Sequence, residues 1–196
     1  MTKNYSRRFL NLIDQITLLI DDKKIDLLAK KIAELRKKKG RLFFLGIGGS
    51  AANSSHAVND FRKLCNIESY SPLDNVAELT ARINDEGWDS SIRDWLKVSN
   101  LKKNDALFVF SVGGGNKQKK VSTNLITAID YAKRKRSKIF GVVGKKNGYL
   151  KKRGDLVILI PEVNLKKVTP LSEAYQAIVW HCLVSHPMLQ QKKNKW

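Results

Sequence analysis

The chain has 196 residues, with 37 Lys and Arg against 18 Asp and Glu, a formal net charge of +19. Hydrophobic residues make up 42%, which excludes a disordered chain and suffices for one α/β-sized core. No apolar run reaches the roughly 18–20 residues of a membrane span, and Cys65 and Cys182 form no CxxC pair, so no disulfide framework or thiolate zinc site is indicated.

Residues 1–10 carry charge with no apolar run after them, so a signal peptide is not expected and a reducing cytoplasm is the expected compartment. Residues 4–20 read as a helix, because Phe9, Leu12, Ile13, Ile16 and Leu19 recur at helical spacing. A second helix is expected near 25–38. Ile25, Leu28, Ile32 and Leu35 form its stripe, and Gly40 is its stop. Residues 42–45, 106–110, 139–143 and 156–160 are predicted strands, apolar on both faces as buried parallel strands are. A weaker strand covers 67–71. Helices are expected near 50–65, 75–83, 90–97, 121–136 and 170–186, the last with Thr169 as N-cap and Pro170 at its first position. This alternation predicts one α/β domain: a parallel sheet with helices on both sides and right-handed crossovers. Residues 1–39 are its N-terminal helices, 40–190 its α/β core and 191–196 a basic tail.

Residues 117–153 hold thirteen basic side chains and one acid, Asp130, which is twelve of the nineteen excess positive charges. Such an excess first points to nucleic acid. The segment has only Tyr131, Phe140 and Tyr149 as aromatics, and no nucleic-acid-binding motif. Nucleic acid therefore ranks low as a partner. The segment reads as a solvated helical face that can steer an anionic substrate.

Two glycine loops follow predicted strands. The first is Gly46-Ile47-Gly48-Gly49-Ser50; the second is Ser111-Val112-Gly113-Gly114-Gly115-Asn116. Each lets backbone N–H groups approach an anion at a helix N-terminus, and Ser50, Ser111 and Asn116 add side-chain donors. A phosphorylated ligand is the expectation. A dinucleotide reading, from Gly46-x-Gly48-x-x-Ala51 with Glu68 further on, leaves the second loop without a role and ranks below it.

His56 and Asp60 are four apart on one helix face, a spacing for a shared metal or a proton-transfer pair. Glu173 and His181 are eight apart, which brings them within about 80° of one face and ~12 Å apart along the axis, so they can flank one ligand. His186, before Pro187, reads as a terminal cap or surface residue.

Together these motifs resemble the sugar isomerase (SIS) domain family, and within it the phosphoheptose isomerases. The resemblance covers nearly the whole chain. It implies a three-layer α/β/α sandwich with a five-stranded parallel sheet, flavodoxin-like, plus two N-terminal helices. It also implies a homotetramer with sites between subunits. The implied activity converts sedoheptulose 7-phosphate to D-glycero-D-manno-heptose 7-phosphate, in many members with zinc. By the same resemblance His56, Asp60, Glu173 and His181 are the metal set, one zinc per subunit, and Asp60, Glu173 and His181 the catalytic set. Gly48, Gly49, Ser50, Asn84, Asp85, Ser111, Gly113, Gly114 and Asn116 are the substrate contacts. Five departures stand out. Ile47 replaces an asparagine, and Val112 and Gly113 replace a Thr and a Ser. Asp60 replaces a glutamate, and Glu173 replaces a glutamine. The base is therefore Asp60 or Glu173. A non-catalytic, phosphosugar-binding or adaptor role is the alternative.

Overall fold

The computed structural model describes residues 4–193; the end of the expected basic tail, Asn194, Lys195 and Trp196, lies outside them. Five strands form one sheet: β1 (Leu42–Leu45), β2 (Ser69–Tyr70), β3 (Ala106–Ser111), β4 (Lys138–Val143) and β5 (Leu156–Leu159). Their order is β2-β1-β3-β4-β5 and every pairing is parallel. The helices are α1 (Tyr5–Leu19), α2 (Asp22–Lys37), α3 (Gly49–Cys65), α4 (Val76–Glu86), α5 (Ser91–Val98), α6 (Thr123–Arg134), α7 (Tyr149–Arg153) and α8 (Val168–Ser185).

The two-residue period of the strands divides the core. Leu42, Phe44, Phe108, Phe110, Val142 and Ile158 face α1, α2, α3 and α8. Phe43, Leu45, Leu107, Val109, Ile139 and Val157 face α5, α6 and α7. This is the expected three-layer sandwich, with the two N-terminal helices sharing the layer of α3 and α8. Chain order reverses between β1 and β3, because β1 leads outward to β2 while β3 leads the other way to β4 and β5. That switch point leaves a crevice beyond the carboxyl ends of β1 and β3. Both glycine loops start there.

Three expectations need correction. The last helix starts at Val168, not at 170, because a 3-10 turn over Leu165–Lys167, capped by Asn164, runs straight into it. Lys167 is its N-cap; Thr169 and Pro170 sit inside the first turn, where the missing proline N–H would have no helical partner anyway. The short helix α7 was not expected: five residues between Gly148 and Gly154 carry no readable periodicity. The basic segment is not one helical face. It runs through a loop, α6, β4 and α7, and part of its charge is paired, Lys117 with Asp130 and Lys133 and Lys138 with Asp155.

Among the described residues no helix is long and apolar enough to cross a membrane. Both cysteines are free. Asp105, almost wholly buried, ties β1 to β3 by accepting from the backbone N–H of Arg41 and Lys102 and from the Arg41 guanidinium.

Candidate active site

The first glycine loop turns the chain from β1 into α3. Gly48 is the N-cap of α3 with φ 63 and ψ −129, a conformation that favours glycine. Gly49 is the first helical residue, and a Cβ there would lie 2.6 Å from the Glu173 carboxyl carbon. So the Glu173 carboxylate rests on the bare Cα of Gly49, at the positive end of the α3 dipole. Asn53, one turn on, donates to the Glu173 carbonyl oxygen and to Gln176 Oε1, both at 3.0 Å, and locks α3 to α8. Ser50 is 2% exposed, and its carbonyl oxygen accepts from the Ser54 hydroxyl.

Two turns along α3 from Gly49, His56 Nε2 lies 3.8 Å from Asp60 Oδ2. His181 arrives from α8, its ring centroid 5.5 Å from that of His56 and perpendicular to it. One donor atom each from His56, Asp60 and His181 lies within 4.8 Å of the others. His181 Nδ1 is 2.8 Å from the Ala177 carbonyl oxygen. That contact puts the proton on Nδ1 and leaves Nε2 with a free lone pair. Two imidazoles and a carboxylate are a donor set that suits zinc, so these residues fit the metal the resemblance implies. Glu173 is not in that trio. Its carboxylate lies over Gly49 instead, which separates the four residues expected to share one ion into a trio and a lone carboxylate.

The second loop is shaped by its own hydrogen bonds. Ser111 Oγ accepts from the Gly114 N–H at 2.9 Å, and Gly114 and Gly115 take φ 72 and 84. Gly113 has open space where a Cβ would be. The loop does not lead straight into a helix: Asn116 and Val121 pair as an antiparallel bridge, and α6 follows only at Thr123. Asn116 Oδ1 accepts from the Lys119 N–H, so its amide carbonyl serves this excursion. Asn84 and Asp85 lie exposed near the end of α4 and bond to each other, Nδ2 to Oδ1 at 2.7 Å. That side-chain bond turns the pair on itself and not to the loops or the trio.

Sequence reasoning missed three neighbours. Trp180, 1% exposed, stacks on His181 and meets His56 at 4.6 Å. Ser122 is the N-cap of α6 with φ 51 and no capping hydrogen bond from its side chain. Asn124, fully buried in the first turn of α6, has an Nδ2 without a partner. Only the adjacency of Trp180 to His181 was a signal in the sequence.

A model of the SIS domain matches residues 4–144. The chain belongs to the SIS domain family. The lincomycin biosynthesis protein of Streptomyces lincolnensis is 32% identical over 154 residues, 75% of this chain. The chain spans 56% of that relative's length. The phosphoheptose isomerase of Leptospira biflexa is 28% identical over 165 residues, 80% of this chain and 78% of the relative. Among solved structures, a phosphoheptose isomerase from Francisella tularensis superposes with a TM-score of 0.83 at 18% identity, covering 98% of this chain and all of that one. One from Neisseria gonorrhoeae gives 0.80 at 16% identity, covering 94% and 98%. Their coverage carries the shared fold beyond residue 144.

Proposed function

We propose that this chain is a phosphosugar aldose–ketose isomerase that interconverts sedoheptulose 7-phosphate and D-glycero-D-manno-heptose 7-phosphate. The observation that carries this reading is the Glu173 carboxylate on Gly49 at the switch-point crevice, with the histidines two turns away. The isomerisation takes a proton from C1 of the ketose and returns one to C2 through an enediol(ate), while a proton also moves between the two oxygens. It needs a base beside the carbons and an acid/base beside the oxygens.

Of the two candidate bases, the placement favours Glu173, since Asp60 belongs to the histidine trio. The Glu173 carboxylate lies at the α3 N-terminus, on the side of the crevice where a carbon-bound proton would be taken. His181, oriented through its Nδ1, presents Nε2 for proton exchange at the sugar oxygens. His56, Asp60 and His181 would hold one zinc ion, which when bound polarises sugar oxygens and stabilises developing negative charge. With zinc bound that His181 nitrogen would be a ligand with no lone pair for proton exchange, so His181 acts as acid/base only in the metal-free protein, while Glu173 is the base in either case.

The phosphate is assigned to the backbone N–H groups of Gly48, Gly49, Ser50 and Gly113, with the Gly114 N–H spent on Ser111 Oγ to shape the second loop. With Val112 and Gly113 offering no hydroxyl, backbone donors carry the binding. Asn84, Asp85 and Asn116 are assigned to sugar hydroxyls. That role requires α4 and the 116–121 excursion to approach the substrate.

We read residues 1–196 as one SIS unit, a cytoplasmic homotetramer with active sites between subunits. The trio lies on the open surface of the protomer, with His56 and His181 exposed. Leu10, Leu18 and Leu19 of α1 and Ile178 of α8 are 52%, 85%, 65% and 48% exposed, an apolar surface that self-association would cover. Incubation with sedoheptulose 7-phosphate tests the reading: the aldose should form, and it should not form with His181→Ala.

A further inference from the structure

We propose that the amino edge of the sheet carries a second ligand site, for a phosphorylated small molecule with a planar or apolar body, of the nucleoside diphosphate class. A cavity of about 740 Å³ lies between α2 and the starts of β4 and β5. This is within the usual volume of small-molecule sites. It opens at the opposite end of the strands from the glycine loops. The six residues of β4 span about 20 Å at ~3.3 Å per residue, so the two sites are separate.

The apolar lining is Leu27, exposed on α2, with the buried Leu35 and Phe140 and the part-buried Leu156 beneath. The rim is cationic. Its two acids are already neutralised, Glu34 by Lys31 at 3.0 Å, and Asp155 by Lys133 at 3.2 Å and Lys138 at 3.6 Å. Asp155 also accepts the Ile139 N–H. Lys38, Lys103 and Arg136 remain on the rim, and among the described residues none of the three forms a salt bridge. They come from the end of α2, the turn before β3 and the turn before β4, so three separate segments converge positive charge on one apolar hollow. Arg136 sits in a tight turn with φ 59, its N–H bonded to the Lys133 carbonyl oxygen, which fixes where its side chain starts. Unpaired cations at a rim suit phosphate groups. An aromatic and three leucines below suit a ring. Part of the charge in residues 117–153, which the isomerase reading leaves over, is thereby used.

Calorimetric titration of the full chain with ADP, inorganic pyrophosphate and adenosine tests this. ADP should bind, and pyrophosphate should bind more weakly, because it lacks the body. Combined Lys38→Gln, Lys103→Gln and Arg136→Gln should weaken ADP by about tenfold or more. The single change Lys103→Glu should weaken it in the same direction if the triple variant does not fold. His181→Ala and Glu173→Gln should leave ADP binding unchanged. No binding of ADP overturns the proposal, as does pyrophosphate binding as tightly as ADP. Loss of ADP binding in His181→Ala or Glu173→Gln would place the nucleotide in the carboxyl-edge site and also overturn it, without touching the isomerase reading.

Discussion

The indole of Trp180 stacks on the imidazole of His181, with ring centroids 3.4 Å apart and planes 29° apart. The same indole meets His56 edge-on at 4.6 Å, so one buried ring sets the position of two histidines from two helices. Trp180→Ala should cost about 3–5 kcal/mol of stability, because it empties a fully buried site. It should also loosen zinc. Trp180→Phe keeps an aromatic wall and should retain most of the metal affinity. Denaturant unfolding and competition with a chelator measure the two effects separately.

Gly46 and Gly49 should respond differently to the same methyl group. At Gly46 a Cβ would come within 2.2 Å of the Ser50 carbonyl oxygen, which is helix backbone and cannot yield. Gly46→Ala should therefore destabilise the fold. At Gly49 the obstacle is the tip of the Glu173 side chain, which can swing away. Gly49→Ala should leave thermal unfolding little changed and remove most turnover. Melting curves alongside kcat for both variants check this.

Cys65 is fully buried, and burial pushes its thiol up to about 12. It should resist alkylation at mildly alkaline pH until the protein unfolds. Cys182 is exposed in the protomer. Mass spectrometry after iodoacetamide treatment, with and without denaturant, should find Cys65 modified only in the denatured sample.

Hydrogen bonds from Arg93 and then Lys97 hold the Asp94 carboxyl down to about 2 from an ordinary 3.8. A carboxylate with a lowered folded-state pKa adds stability that is complete above its unfolded value and is lost as pH falls toward the folded one. The contribution of Asp94 should be flat above about pH 5 and should disappear between 3.8 and about 2. The difference in melting temperature between the protein and Asp94→Asn, followed over that range, reads it directly.

Much of the fold was legible because buried parallel strands are apolar on both faces. Phe43 and Phe44 are both fully buried, on opposite sides of the sheet, and only such a strand accepts that pair. The α3 face was legible too, since His56 and Asp60 are one turn apart by helical geometry alone. His186 also behaves as expected near a helix end: its Nδ1 accepts the Met188 N–H. What could not be read was distance between segments. Nothing in the order of residues says that the Glu173 carboxyl lands on Gly49, or that Trp180 reaches across to His56. The excursion from Asn116 to Val121 was hidden for another reason. It is closed by a backbone bridge, which leaves no side-chain pattern.

In the proposed mechanism Glu173 moves the carbon-bound proton while His56, Asp60 and His181 would hold the metal. Sedoheptulose 7-phosphate incubated in deuterium oxide with the zinc-loaded protein tests it most directly, with zinc content and deuterium at C1 and C2 measured together. Aldose should form with solvent deuterium incorporated. Glu173→Gln should keep zinc and lose both exchange and turnover, whereas Asp60→Asn should lose zinc. Exchange that survives in Glu173→Gln, or zinc lost from it while Asp60→Asn keeps its metal, would overturn these assignments.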